Sequence, residues 1–328
     1  MYEEHFGLSE RPFQLTPDAR YWFDTATHAK AMAYLGYGLA QGEGFIVITG
    51  EVGAGKTTLV GHLMDAIDTG RLHPIRIVST AIEPQDLLRI VAGGLGAETA
   101  GKDKAALLTA IEQGLHKVAR SGRRTLLIVD EAQALPEGAL EELRMLSNFQ
   151  AGGHALLQIF LLGQPEFRAA LHGSDALEQL RQRVIALHHL DAMEVDEVAS
   201  YVGHRLQVAG WQGRPDFAPE VFTLLHAASG GIPRRLNQLM GRVMLAAAMG
   251  ESELIDAALV RAVIADADAE LPAVAAPSEA PLRTSDGADA ARIAALEARV
   301  AEQEAALRRV LTLLVDWVEA DTTRAAAA

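Results

Sequence analysis

An α/β fold, with a parallel sheet between two layers of helices, is predicted from the alternation of two kinds of segment. Short apolar runs with the length of buried strands alternate with longer segments whose apolar residues recur at helical spacing. Such alternation is typical of a parallel sheet covered on both faces. The five predicted strands are 45–49, 75–79, 126–130, 156–162 and 184–187. The predicted helices between them are 83–95, 104–120, 138–149 and 165–171.

The strand pattern stops at Asp191, and the chain then continues with helical patterns alone. These predicted helices are 195–209, 219–228, 234–249 and 255–267. We therefore predict a sheet-containing domain over residues 1–189 and a small helical domain over residues 190–271.

The first predicted strand ends in a glycine-rich turn that leads into a helix. Residues 50–58 read GEVGAGKTT, with the spacing G-x-x-x-x-G-K-T. The glycines let consecutive amide groups point into one concavity, at the positive end of the following helix, while Lys56 reaches the β- and γ-phosphates and Thr57 ligates Mg²⁺. This predicts a nucleoside triphosphate site; the alternative is a turn that binds nothing. The predicted phosphate-binding residues are Gly50, Glu51, Val52, Gly53, Ala54, Gly55, Lys56, Thr57 and Thr58.

Two carboxylates follow the third predicted strand, in the sequence LLIVDEAQ (126–133). Asp130 is predicted to hold Mg²⁺ beside the glycine-rich turn, and Glu131 to polarise the attacking water as a general base. Two acidic residues after a strand are common on their own. Together with the turn upstream, they predict hydrolysis of the bound nucleotide.

Polar residues near the fourth and fifth predicted strands are further candidates for this site. Gln164, in FLLGQPE (160–166), is placed to contact the γ-phosphate or its water; the alternative is an ordinary strand-to-helix turn. Arg181 and Arg183, in LRQRV (180–184), are placed to reach the nucleotide of a neighbouring subunit. The alternative for these arginines is a solvated helix end.

A second glycine-rich turn opens a helix of the predicted helical domain. In GGIPRRLN (230–237) the two glycines give a sharp turn and Pro233 suits the first helical position. Arg234 would then face back across the cleft between the domains and distinguish ATP from ADP. The alternative is an arginine that caps local structure.

The end of the chain has a different character. Residues 272–289 are rich in Pro, Ala and Ser and predict a flexible linker. Apolar residues then recur at heptad spacing over 290–320, which predicts a coiled-coil helix and self-association. The alternative is an amphipathic helix that packs on the body of the protein.

Composition excludes several classes of protein. The chain has 328 residues, no cysteine and a net charge of −14, so disulfides, thiol catalysis and cysteine-ligated metal sites are excluded and DNA is disfavoured as a partner. No apolar run is long enough to span a membrane, and the first residues carry no signal-peptide pattern. We therefore expect a cytoplasmic protein.

In combination, these motifs resemble those of AAA+ ATPases. More narrowly, FGLSERPFQLTPDARYWF (6–23), GEVGAGKTT, LLIVDEAQ, LLGQPEF, LRQRV and GGIPRRLN resemble the ExeA/GspA-like secretion ATPases. Three stretches are most similar to the ATPases associated with exosortase (PEP-CTERM) systems, which occur alongside exopolysaccharide export machinery. They are AMAYLGYGLAQGEGFIVITGEVGAGKTTLV, ELRMLSNFQ and HRLQVAGWQG. The resemblance covers about residues 1–270.

The resemblance implies a P-loop AAA+ domain with a five-stranded parallel sheet in a three-layer αβα arrangement, followed by a helical lid. The second strand would lie at one edge of the sheet and the strand preceded by Arg183 at the other. Residues 12–21 would close over the adenine, with Pro17 or Tyr21 as contacts. Gln164 departs from the pattern, because many AAA+ proteins place Asn, Ser or Thr there.

The function implied is an Mg²⁺-dependent ATPase that serves as a motor or switch for an envelope secretion or exopolysaccharide export system. Such a protein would form homo-oligomers, as a nucleotide-dependent ring or a coiled-coil dimer, and would reach the inner membrane only through a protein partner. Two alternatives are a DNA-associated transposition helper and a nucleotide-gated scaffold with negligible turnover.

Overall fold

Strands and helices alternate along the chain as the apolar pattern predicts. A computed structural model describes residues 2–16, 18–78 and 82–270. The strands are β1 Phe45–Gly50, β2 Leu72–Val78, β3 Arg124–Asp130, β4 Gln150–Ala151, β5 His154–Ala155, β6 Leu157–Gly163, β7 Val184–Leu190, β8 Asp216–Phe217 and β9 Leu254–Ile255. The helices are α1 Tyr2–His5, α2 Ala26–Gln41, α3 Lys56–Ala66, α4 Pro84–Gly94, α5 Lys104–Arg120, α6 Glu137–Leu146, α7 Pro165–Gly173, α8 Glu178–Arg181, α9 Val195–Val208, α10 Glu220–Ser229, α11 Pro233–Met249 and α12 Ala257–Glu270.

The five predicted strands form one parallel sheet in the order β2–β3–β6–β1–β7. The predicted α/β class is therefore confirmed, and so are the two predicted edge strands. In this order β3, β6 and β1 are neighbours. Their carboxyl ends, where Asp130, Gln164 and the glycine-rich turn follow, consequently lie side by side at one end of the sheet.

Both faces of the sheet are covered because successive strand residues point to opposite sides. Phe45 and Val47 of β1 belong to an apolar cluster with helices α4 to α8. Ile46 and Ile48 belong to a second cluster with α2 and α3. These three layers bury β1 completely, which explains why it reads as a continuous apolar run.

Helices α9 to α12 enclose a third apolar cluster of their own. Three residues from the beginning of the chain, Phe6, Leu8 and Phe13, are buried in this cluster. The N-terminal segment is therefore packed on the helical part of the protein. The two domain boundaries drawn from the sequence, at 189 and 271, stay predictions.

Helix α2 and strands β8 and β9 were not predicted from the pattern of apolar residues. Helix α2 begins after Thr25, whose side chain accepts a hydrogen bond from the amide of His28, and ends at Gly42 in the left-handed conformation. Its buried face consists of small and polar residues with Leu35, so it lacks an apolar stripe. The pattern after Asp191 predicts helices alone, yet β8 and β9 pair there and bury Ile255.

The predicted linker 272–289, the predicted coiled-coil helix 290–320 and Pro17 all lie outside the described residues. Within the described ranges, no helix combines the length and the apolar character that crossing a membrane requires.

Candidate functional site

The glycine-rich turn between β1 and α3 adopts a backbone that other residues would strain. Gly53 and Gly55 have φ angles of 88° and 99°, in the left-handed region. Gly55 also has no room for a side chain, because a Cβ atom there would lie 2.7 Å from Nε2 of His28. Helix α3 begins directly after Gly55 at Lys56, and its unpaired first amides give this end of the cleft a positive potential.

Part of the predicted phosphate-binding set lines a cleft that is open to solvent. The residues of the set that line it are Val52, Gly53, Gly55, Lys56, Thr57 and Thr58. Gly50, Glu51 and Ala54 do not line the cleft; Gly50 ends β1 and Ala54 is 2% exposed.

The ammonium group of Lys56 is buried under the turn. Its Nζ donates hydrogen bonds to the carbonyl oxygens of Gly50, at 2.6 Å, and Glu51, at 3.0 Å. Burial lowers the pKa of Lys56, while the negative charges of Glu131 and Asp130 oppose this shift. A buried cation whose bonds go to neutral carbonyls leaves charge available for an anionic ligand.

Asp130 ends β3 and faces the start of α3. The hydroxyl group of Thr57 donates to its Oδ2 at 3.3 Å, and the carboxylate is 2% exposed. A guanidinium nitrogen of Arg76, on the neighbouring edge strand β2, lies 3.7 Å from the same oxygen. The structure thus brings together the two predicted Mg²⁺ ligands, and adds an arginine that sequence reasoning did not find.

Glu131 follows with a φ angle of 54°, a left-handed conformation that is uncommon for residues other than glycine. Two side-chain amides hold its carboxylate: Gln133 Nε2 at 2.5 Å and Gln164 Nε2 at 3.1 Å, both to Oε2. Gln133 also accepts a hydrogen bond from the backbone amide of Gln164 at 3.0 Å. Burial raises the pKa of Glu131, but the two amides and the charges of Lys56 and Arg234 together bring it below its ordinary value.

Gln164 directly follows β6, and its side-chain amide donates to Glu131; its predicted contact with the γ-phosphate or its water stays a prediction. Gln133 was missed by the sequence analysis. The sequence signal for it is its position two residues after Glu131; the contact itself forms because a short 3-10 helix over Ala132–Ala134 carries Gln133, whose Oε1 meets the amide of Gln164.

Arg234 lies at the start of α11, against the glycine-rich turn. Its backbone amide donates to the carbonyl oxygen of Gly53 at 3.2 Å. A Cβ atom on Gly53 would lie only 2.4 Å from Cβ of Arg234, so the two backbones need a glycine at this contact. The start of α11 thus lies against the glycine-rich turn, and the predicted role of Arg234 in distinguishing ATP from ADP stays a prediction.

In a single copy of the chain, Arg181 and Arg183 lie at the other end of the sheet from this cleft. The Arg181 guanidinium donates to the carbonyl oxygens of Leu171 and His172, at the end of α7, and that of Arg183 donates to Ser147 Oγ at 2.9 Å. Both precede β7, whose first residue pairs with the first residue of β1, at the amino end of the sheet. Their predicted role toward a neighbouring subunit stays a prediction.

The opposite wall of the cleft comes from the N-terminal segment and the helical part. Gln14, Leu15, Thr16 and Tyr21 line it. The Tyr21 ring is 3% exposed, and burial raises the pKa of its hydroxyl group to about 12. Trp22 lines the same wall and stacks on His62 of α3, with ring centroids 4.2 Å apart.

His28 lies beneath the turn and was also missed. It is 6% exposed, its Nδ1 is 2.7 Å from Thr25 Oγ1, and burial lowers its pKa to about 4. We predict that this histidine makes stability depend on pH. The unfolded chain binds a proton as the pH falls through about 6.5, whereas the folded chain does so only near pH 4. Between these values, folding stability declines with falling pH by up to about 3 kcal/mol from this group.

The test compares urea unfolding midpoints from pH 7 to 4.5 for the native chain and His28→Gln. The variant should show a shallower decline, whereas His154→Gln, at an exposed position, should leave the slope unchanged. Identical slopes for the native chain and His28→Gln would contradict the prediction.

Comparisons with known proteins agree with this geometry. A family model described as "AAA domain" matches residues 39–171. General secretion pathway protein A of Aeromonas hydrophila is 38% identical over 260 residues, which cover 78% of this chain. The chain spans 46% of the length of that relative.

Solved structures share the fold at low sequence identity. The Aeropyrum pernix ORC2 protein, in ADPNP-ADP complexes, aligns with a TM-score of 0.58 and 16% identity, over 80% of this chain and 72% of that one. The Aeropyrum pernix ORC1 protein, in complex with DNA, aligns with a TM-score of 0.57 and 16% identity, over 79% and 69%. Such likeness concerns the fold alone. Residues 39–171 thus match an AAA domain, and the chain is similar over 78% of its length to a general secretion pathway protein.

Proposed function

We propose that this chain binds ATP with Mg²⁺ and hydrolyses it, and that it serves as a motor or switch in a secretion-related assembly of the cell envelope. The observation that carries the proposal is the convergence of four groups on one cleft. These groups are the buried ammonium of Lys56, the Thr57–Asp130 pair, the carboxylate of Glu131 and the start of α11 at Arg234. Each corresponds to a separate requirement of phosphoryl transfer.

The oxygen donors beside α3 fit Mg²⁺. This ion prefers hard oxygen ligands and takes few from the protein, since it keeps several waters and binds the phosphates directly. Thr57 Oγ1 and the Asp130 carboxylate, already in contact at 3.3 Å, would hold it. The bound ion would neutralise charge on the β- and γ-phosphates.

The chain's own groups supply the remaining steps. The depressed pKa of Glu131 keeps its carboxylate ionised at neutral pH, so that it can accept a proton from water. The water oxygen then attacks the γ-phosphorus, and the bond to the β–γ bridging oxygen breaks to leave ADP and phosphate. Lys56 and the first amides of α3 stabilise the charge on the phosphate oxygens.

The contact between Arg234 and Gly53 suggests how hydrolysis is converted into movement. The helical part touches the glycine-rich turn through this backbone contact of 3.2 Å. A guanidinium at that position attracts the γ-phosphate of ATP more strongly than the shorter ADP. Loss of the γ-phosphate would thus weaken the attachment of the helical part to the turn.

The cellular role rests on similarity. The likeness to General secretion pathway protein A supports a place in secretion, and the sequence stretches similar to exosortase-associated ATPases favour exopolysaccharide export. A protein partner would provide the link to the membrane. Arg181 and Arg183 lie at the end of the sheet opposite to the cleft, so their role in hydrolysis requires a second copy of the chain, in a ring or filament.

Two substitutions separate binding from turnover. Glu131→Gln keeps the shape of the side chain but removes the base; it should retain ATP and lose turnover by about 100-fold or more. Lys56→Ala should lose binding itself, because the buried cation is gone. The measurements are ATP affinity and phosphate release, with the exposed Glu137→Gln as a matched control that changes neither.

Unchanged turnover in Glu131→Gln would contradict the assignment of the base. Tight ATP binding without turnover in the native chain would favour the nucleotide-gated scaffold. A salt-dependent shift of duplex DNA at saturating nucleotide would favour the transposition helper.

The amide pair on Glu131 generates a prediction about pH. Gln133→Leu removes the shorter of the two hydrogen bonds, so the effect of burial is less opposed and the pKa of Glu131 rises. Since the ionised carboxylate is the active form, the acid limb of the ATPase pH profile should move to higher pH. Gln113→Leu, on the exposed side of α5, serves as the control. An unshifted acid limb in Gln133→Leu would contradict the proposed positioning of Glu131 by amides.

A further inference from the structure

Arg205, on α9, is a buried cation with unusual partners. It is 7% exposed, yet within the described residues its hydrogen bonds go to neutral groups and none goes to a carboxylate. Its Nε donates to the carbonyl oxygen of Pro12 at 2.6 Å, and a second guanidinium nitrogen lies 3.4 Å from that of Gln14. Burying a guanidinium without a counter-charge costs desolvation free energy. Other interactions of Arg205 must therefore offset that cost.

The guanidinium group also lies over an aromatic ring. Its central carbon is 4.6 Å from the centroid of Tyr21, within the range of a cation–π interaction. Its third nitrogen donates to the hydroxyl group of Tyr201 at 3.3 Å, and this hydroxyl group in turn donates to Asn237 Oδ1 at 3.0 Å. Arg205 thereby connects three parts of the cleft wall: the N-terminal segment, helix α9 and helix α11.

Other contacts fix the same segment to the helical part. The amide and the hydroxyl group of Ser9 both donate to the carbonyl oxygen of Ala209, at 2.9 and 3.0 Å. Phe6 and Phe13 are buried in the apolar cluster of α9 to α12. Residues 6–14 are therefore attached to the helical part by these contacts, although they precede Arg205 by about 190 residues in the chain.

The wall held in this way faces the phosphate end of the cleft. Tyr21 and Tyr201, which are 3% and 5% exposed, line it with the small accessible parts of their rings, and Gln14 and Asn237 contribute amide groups. A wall of aromatic side chains with a few amides suits a nucleobase, through apolar contact and through hydrogen bonds to the edge of the base. Lys56, at the other end of the cleft, suits the phosphates.

We propose that Arg205 is a positioning residue for the nucleoside end of the bound nucleotide. Its guanidinium nitrogens donate to the carbonyl oxygens of Pro12 and Gln14, and its flat face packs on the ring of Tyr21. The part of the cleft wall that would contact the base is therefore in position before the ligand binds. Because this wall is fixed to α9 and α11, the base and the start of α11 at Arg234 are attached to the same moving part. This inference rests on the proposed ATP site.

The test compares two ligands that share the phosphate end only: ATP and inorganic tripolyphosphate, each with Mg²⁺, titrated into the full chain. Arg205→Gln and Arg205→Lys should both weaken ATP about tenfold or more, since a lysine lacks the fork and the flat face. Both should leave the affinity for tripolyphosphate unchanged. Arg261→Gln, at an exposed position of α12, is the control that should change neither affinity.

Each alternative outcome is distinct. Equal loss of ATP and tripolyphosphate in Arg205→Gln, with Arg205→Lys like the native chain, would show that only the charge matters and would overturn the inference. Native-like ATP binding in both variants would also overturn it. Binding of neither ligand to the native chain would instead contradict the proposed ATP site itself.

Should the arginine variants fail to fold, Tyr21→Leu keeps an apolar side chain but removes the ring beneath the guanidinium. It should weaken ATP and leave tripolyphosphate unchanged, and equal affinities for ATP in this variant and the native chain would overturn the inference.

Discussion

A buried positive charge at the carboxyl end of the sheet is the constraint on which the rest of the site depends. Lys56 is enclosed by the glycine-rich turn and donates to two carbonyl oxygens of that turn. Burial opposes its ionised form, and the nearby carboxylates of Glu131 and Asp130 support it. An anionic ligand with several charged oxygens would complete this balance, because it approaches both the ammonium group and the first amides of α3.

The order of the strands determines which groups share the cleft. Because β3, β6 and β1 are neighbours, Asp130, Gln164 and the glycine-rich turn emerge side by side. The helical part then closes the other side through the contact of Arg234 with Gly53. The N-terminal segment follows the helical part, through Phe6, Phe13 and the bonds of Arg205. The cleft is consequently formed between one end of the sheet and one wall made of two distant stretches of chain.

The sequence predicted those features that depend on local pattern. Buried strands appear as apolar runs, and the glycines at 53 and 55 reflect left-handed backbone angles, so the sheet and the turn were predicted correctly. Features that depend on distant contacts outside the recognised motifs were not found. The reach of Gln133 depends on the left-handed backbone of Glu131, and Arg205 meets its partners only because residues 12–14 return to α9. Helix α2 was not predicted because small and polar residues form most of its buried face, so that the sequence shows no apolar stripe there.

Calorimetric titration of the full chain with MgATP is the most direct measurement of whether the cleft binds the ligand that its charges predict. We expect saturable binding of one nucleotide per chain, with the heat lost when Lys56 is replaced by alanine. Absence of binding at millimolar MgATP, or unchanged binding without Lys56, would contradict this expectation.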